Sequence, residues 1–323
     1  MGLRRRLIAG AALAAACTAG WVAAPRTFVV EGVSMGPGLL PGDRVRTGLF
    51  PVFDRLRRPR RFERWVLAAT DGLAVKRVVG LPGERVSIAG GDLTIDGAEV
   101  LKGPRLLAEM GSVVPDDPAA GTEPDDEWSW SRPAGEILDD ATFDTGPARI
   151  LVPVRDAGLA AIVSVAEASV SLPATLRLRV GDKVILRSLA EPGRHAIVAG
   201  RLDGRLVAST WRIPDGARTT GPRGCLPVGA TAAWHVADPW PGPVGAEAAP
   251  ALAVGGDGRV AVVEAVRWRD VAWRPGADGT ASWRLGVDEI LVLGDNAAAS
   301  NDSRRWGPID VAALRHRVAT GHP

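Results

Sequence analysis

Short apolar runs, each cut off by glycine or proline, recur along most of this 323-residue chain, and they leave little room for long helices. Residues 27–33 are short and β-branched and predict a strand. Residues 65–69 and 73–79 predict two more. Residues 85–88 and 92–95, joined through Ala89-Gly90-Gly91, predict a hairpin. Further on, 150–154, 161–165, 176–180, 183–186, 195–198 and 205–212 repeat the pattern, with Val180-Gly181-Asp182 and Asp203-Gly204 as turn signals. Short strands at this spacing suggest a sandwich or another β-rich domain. Strands are expected again at 259–266, 269–273, 281–285 and 290–293, and one short helix at 311–316. Residues 115–127, acidic and punctuated by proline, and 219–250, rich in Gly and Pro, read as loops. The fold class is mainly β, and the length fits two domains.

The N-terminus has a different character. Arg4, Arg5 and Arg6 precede residues 7–24, which carry no charge. That stretch is close to the shortest that can span a bilayer, and Trp21 sits where an interfacial aromatic would. Arg26 follows, so the charge bias places the N-terminus in the cytoplasm and the remainder outside. A cleavable signal peptide shares the charged start. Leu13-Ala14-Ala15-Ala16-Cys17 resembles a lipoprotein site with a poorly spaced leucine. A retained single-pass anchor is the preferred reading, because Ser34 follows closely and would be held at the membrane surface.

Composition excludes several functions. A net charge of +2 and the lack of long basic blocks give nucleic-acid binding no support. The basic stretch 55–64 reads as a solvated loop that could touch anionic lipid head groups. The apolar cluster 49–53 reads as core or as surface resting on lipid. Cys17 and Cys225 are too differently placed to predict a disulfide. His195, His235, His316 and His322 form no ligand pattern, so neither metal nor cofactor is expected. Only three of the 39 Lys and Arg residues are lysine: Lys76, Lys102 and Lys183. Arginine cannot release its proton near neutral pH and a desolvated lysine can, so a lysine in an arginine-rich chain can mark a need for the amine.

Three blocks carry chemistry. Glu31-Gly32-Val33-Ser34-Met35-Gly36-Pro37-Gly38 sets a serine on a turn after a strand. Ala74-Val75-Lys76-Arg77-Val78-Val79 sets a lysine in an apolar strand. Gly294-Asp295-Asn296-Ala297-Ala298-Ala299-Ser300-Asn301-Asp302-Ser303-Arg304 follows a continuously apolar run. A serine nucleophile needs a base. No histidine lies near these blocks, and a lysine made neutral by burial can take its place. Lys102 and Lys183 lie in no such block and are expected to face solvent.

In this order, behind an apolar N-terminal segment, the blocks resemble the bacterial type I signal peptidases, serine proteases with a Ser/Lys dyad. The resemblance covers about residues 1–100 and 259–310. It implies Ser34 as nucleophile, Lys76 as base and Ser300 as the residue that orients the amine. It implies structural roles at the site for Gly294, Asp295, Asn296, Asp302 and Arg304, and places Met35 and Pro37 at the substrate cleft; core filling is an equal reading for Met35. The oxyanion would be met by the Ser34 backbone N–H. Some relatives add a serine hydroxyl where this chain has Gly32, and most have threonine where it has Gly38.

The expected division is an anchor at 1–26, a signal-peptidase-like β-fold at 27–101 and 259–323, and an inserted β-rich, possibly sandwich, domain at 102–258. The implied partners are exported preproteins, cut after small residues at the first and third positions before the scissile bond, and the lipid bilayer. The partner of the insert is unknown. Two other readings remain. One is a catalytically degenerate relative that binds through its insert. The other is a self-cleaving repressor-type Ser/Lys protease, which would carry a helical DNA-binding domain and no anchor.

The charge bias makes one expectation testable at once. A reporter that fluoresces only in the cytoplasm, fused after Pro323, should stay dark in cells; bright full-length fusion would reverse the orientation.

Overall fold

The computed structural model describes residues 24–48, 54, 57–69, 72–114, 128–139, 151–220, 224–227, 233–241, 248–276, 279 and 281–319. The expected membrane segment up to residue 23, the apolar cluster 49–53 and the acidic stretch 115–127 lie outside the described residues. Among the described residues no helix is long and apolar enough to cross a membrane.

The lysine strand, Gly72–Gly80, lies at the centre of a five-stranded antiparallel sheet. Its neighbours are Arg64–Ala69 on one side and Glu289–Leu293 on the other, with Leu314–Arg317 and Ile309–Asp310 at the edges. Ile290, Leu291, Val292 and Leu293 are wholly buried, as an uninterrupted apolar run requires cover on both faces. The hairpin forms as expected, from Arg85–Ala89 and Asp92–Ile95. Its turn uses Gly90 and Gly91, both at positive φ, a conformation that a side chain would strain. Val86, Ile88 and Leu93 of the hairpin pack with Val79, Leu291 and Leu293 of the five-stranded sheet. A ribbon of Thr27–Val29 and Arg44–Arg46 carries the serine turn.

Most of the remaining described residues form a β-sandwich. One antiparallel sheet has the order Val236–Pro239, Arg205–Arg212, Gly193–Leu202, Ala157–Val165, Val260–Arg269 and Ser112–Val114. The other has Lys183–Leu189, Ala174–Val180, Leu252–Gly256 and Trp130–Arg132. Alternation decides which faces meet: Leu176, Leu178 and Val180 point inward while Arg177 is exposed. They pack with Leu159, Ala161 and Val163 from the opposite sheet.

Several expectations are corrected. Within 219–250, read as loop, Val236–Pro239 is a strand paired with Arg205–Arg212, and 151–154, expected as strand, form only an isolated bridge from Pro153 to Leu138. Val260–Arg269 is one strand, and it pairs inside the sandwich with Ala157–Val165, so the sandwich extends past the expected return at 259. Val311–Ala313 is a 3-10 turn capped by Asp310, and Leu314–Arg317 is a strand, not the end of a helix. Leu314 fills the core beside Trp65 and Leu67, and that pairing overrides local helix preference. The helix Pro104–Met110 was not anticipated. It is too short to show a helical period, although Pro104 at its start is a common first residue. Leu107 packs against the outer face of the larger sandwich sheet while Met110 packs into the core beneath the hairpin.

Where the two parts meet, Lys102 is buried, contrary to the expectation that it faces solvent. Its amine pairs with Asp203 and, at 2.8 Å, with Asp270. The Asp203 N–H donates to Asp156, and Asp92 completes the group. Burial opposes the Lys102 charge, but Asp203, Asp270 and Asp92 outweigh it and hold the amine protonated. Four carboxylates cannot all ionise around so few cations. Burial, reinforced by repulsion between neighbours, raises Asp92, Asp156 and Asp270, the last to about 7.

Raised carboxyl values have a definite sign in stability. These groups keep protons that the unfolded chain releases above about 4, so their stabilisation is present at low pH and is lost as pH climbs through the folded value. The melting temperature should therefore fall between about pH 5 and pH 8, and Asp270→Asn should flatten that slope. A melting temperature that rises across this range would contradict the assignment.

Candidate active site

The serine turn is held by its own backbone and by the third block. Gly36 N–H donates to the Val33 carbonyl at 3.1 Å, and Leu39 N–H to that of Met35 at 3.0 Å. The Asn296 N–H donates to the Ser34 carbonyl at 3.0 Å, and the Asn296 side-chain amide to that of Val33 at 3.3 Å. Gly294 allows this approach. A Cβ there would collide with the Ser34 carbonyl oxygen and with the Ser300 side chain. Met35 is buried with Val30, Leu39, Val45, Val66 and Val318. Its side chain is a core residue under the turn, not part of a cleft, because the turn needs an apolar anchor below it. Pro37 does line a cleft, beside Gly36 and residues 295–298 of the third block and facing Arg269 and Val271.

Lys76 extends from the lysine strand opposite Trp65, and only 4% of its surface is exposed. Its Nζ donates to Ser34 Oγ at 2.6 Å, although the two residues are forty-two positions apart. Burial lowers the amine to about 8 from 10.5, against the pull of Asp302 and Asp295, which favour its charge.

Both carboxylates are already engaged. Asp295 receives Arg77 Nε at 2.7 Å and Nη2 at 2.6 Å, a bidentate pair with both side chains fully buried. Burial opposes the Arg77 charge, and Asp295 outweighs it. Asp302 caps the helix Ser303–Trp306 and receives Arg304 Nε at 2.9 Å and Nη2 at 2.7 Å. Asp302 also accepts from the Gly294 N–H at 2.9 Å. Burial would raise Asp302, yet these bonds keep it below the usual carboxylate range. The third block is thus a rigid frame for the turn.

Ser300 comes to the site but makes no hydrogen bond to Lys76. Its hydroxyl is buried in the space left by Gly294, near Asp302, and has no partner in good hydrogen-bond geometry. Arg77, quoted with the lysine block and given no role from sequence, links that block to Asp295. Glu109 was missed altogether. It accepts from Arg77 Nη1 at 3.3 Å and lies 3.9 Å from Arg64 Nε. Nothing in the sequence connects that short helix to the three blocks.

An antiparallel β-fold that sets a buried lysine amine against a serine on a turn defines a class of candidate hydrolase. The family model for signal peptidase, peptidase S26, matches residues 4–137. That range includes the serine turn and the lysine strand, and it supports a signal-peptidase-like hydrolase at the level of the family. No curated protein matches the chain.

Removing one partner of a buried ion pair leaves the other charge uncompensated, at a typical cost of about 3–5 kcal/mol. Asp295→Ala should destabilise the protein by that amount in denaturant unfolding. A loss below about 1 kcal/mol would mean that Arg77 is held chiefly by other groups.

Proposed function

We propose that the protein is a membrane-bound serine endopeptidase that removes signal peptides from exported preproteins, with Ser34 as nucleophile and Lys76 as general base. The observation that carries the reading is the 2.6 Å contact between a buried, pKa-lowered lysine amine and a serine hydroxyl. The family match over the same residues supports the substrate class.

In the reacting state the Lys76 amine is neutral, and the Ser34 hydroxyl donates to it. Ser34 Oγ attacks the scissile carbonyl carbon as its proton passes to Nζ. The oxyanion meets the Ser34 backbone N–H. The ammonium then protonates the departing amine, and the peptide bond breaks to leave an ester on Ser34. A water gives its proton to the neutral amine, attacks the ester and frees the carboxylate product; the proton returns to Ser34 Oγ. Asp302 and Arg304 hold the third block against the turn, and Ser300 lies beside it to orient the amine once substrate excludes water.

The reading puts the site at the extracytoplasmic face of the bacterial cytoplasmic membrane, where the end of a signal peptide emerges; the uncharged stretch 7–24 behind Arg4, Arg5 and Arg6 supports it. Leu73, at the start of the lysine strand, is 61% exposed and adds apolar surface to the catalytic part. No cofactor enters the mechanism.

Lys76→Arg keeps the charge and much of the length but cannot accept the proton. It should abolish cleavage of a preprotein in detergent nearly as completely as Ser34→Ala. The wild-type rate should rise with pH through about 8, because the neutral amine is the active form. Activity of Lys76→Arg above a few per cent of wild type, or a rate that falls with pH through this range, would defeat the reading.

A further inference from the structure

The departure at Gly38 has a physical cause. Gly38 does not adopt a positive φ, so its conformation alone does not demand glycine. Space does. A Cβ at Gly38 would run into the carbonyl oxygen of Glu109, a backbone atom that cannot swing aside as a side chain could. The residue after the Ser34–Pro37 turn is therefore packed directly against the helix Pro104–Met110.

The side chain of the same Glu109 reaches the other half of the site. Its carboxylate accepts from Arg77 Nη1 at 3.3 Å and faces Arg64 Nε at 3.9 Å. Arg64 and Arg77 stand directly opposite each other on adjacent strands, a like-charged pair that repels. Arg77 has Asp295 as its main counter-ion, and Glu109 is the nearest anion to Arg64. Burial lowers the Arg64 pKa, and Glu109 is the largest influence acting against that loss of charge. Arg77 directly follows Lys76 in the strand, and Trp65, opposite Lys76, directly follows Arg64. The carboxylates that act on the Lys76 amine itself, Asp295 and Asp302, come from the third block, and Arg304 is the positive group there.

The helix itself is anchored on both sides. Leu107 packs against the outer face of the larger sandwich sheet, with Ala160, Ile162 and Val198, and Met110 in the core beneath the hairpin. A shift of the sandwich would therefore move Glu109. We infer that Glu109 is a positioning residue for the proposed dyad, its carbonyl setting the Ser34 turn at Gly38 and its carboxylate setting the Lys76 strand through Arg64 and Arg77. The inserted domain thereby becomes a working part of the peptidase, and Gly38 is a matched feature of this chain, not a sign of decay. This rests on the reading of Ser34 and Lys76 as nucleophile and base.

The test uses the full-length protein in detergent, with a preprotein bearing small residues before its cleavage site. A misplacement of the order of 1 Å at reacting groups can cost about a hundredfold in rate. Glu109→Ala should lower kcat roughly ten- to hundredfold while KM stays within about twofold, since Glu109 itself lines no part of the cleft beside Pro37. Glu109→Gln, which can still accept from Arg77, should recover part of that loss. Gly38→Ala should show the same split, because the added methyl displaces the helix. Since both changes disturb one contact unit, the double variant should lose less than the product of the two single losses. A kcat within twofold of wild type for Glu109→Ala, or losses that multiply, would overturn the inference. If Glu109→Ala fails to fold, Gly38→Ala decides alone, and an unchanged kcat there overturns it. The two readings fail differently. Equal rates for wild type and Lys76→Arg would defeat the dyad itself, whereas an inactive Lys76→Arg beside an unimpaired Glu109→Ala would remove only the role of Glu109.

Discussion

A lysine amine kept out of water is the constraint around which the candidate site is arranged. Burial must outweigh every nearby carboxylate, or the amine regains its proton. A bare carboxylate about 4 Å away contributes on the order of 4 kcal/mol in a partly polar environment, enough to cancel the effect of burial. Asp295 and Asp302 are the anions that act on Lys76, and each is paired with its own arginine. Arg77 and Arg304 therefore do two things: they hold the third block together and they reduce the field that would recharge the Lys76 amine. The resulting value of about 8 lets an appreciable fraction of the amine be neutral near physiological pH.

The five-stranded sheet was largely readable because its residues are locally consistent. The run from Leu73 to Val79 and the apolar run from Ile290 to Leu293 are short, bounded by turn residues and buried, and both became strands. The run 176–180 likewise became a strand, Ala174–Val180, and its alternation sets the face that meets the other sheet. What escaped depended on long-range contacts. Lys102 looked like any surface lysine, and only the fold brings Asp203 and Asp270 to it. Met35 was ambiguous because a methionine suits a cleft and a core equally well. Arg269 and its neighbours read as a new strand because the sequence does not show which sheet Val260–Arg269 will join. Ser34 and Lys76 were legible through residue type and order, while Glu109 had no signal of its own.

The boundary between the two parts is itself a polar structure. Lys102 and its carboxylates join the hairpin, through Asp92, to the turn at Asp203 and the strand end at Asp270. A short distance along the chain, Glu109 reaches Arg64 and Arg77. Buried charges of this kind are costly to separate, so the sandwich is held in a fixed relation to the sheet that carries Lys76. That explains how so large a sandwich can coexist with the short contact between Ser34 and Lys76.

The state of the Lys76 amine can be read directly. With three lysines in the chain, isotopic labelling of lysine side chains gives a small set of NMR signals, and Lys76→Arg assigns one by its disappearance. In detergent micelles the Lys76 signal should titrate with a midpoint near 8, while Lys102, enclosed by carboxylates, stays protonated throughout. A Lys76 signal that remains protonated to pH 10 or above would contradict the account.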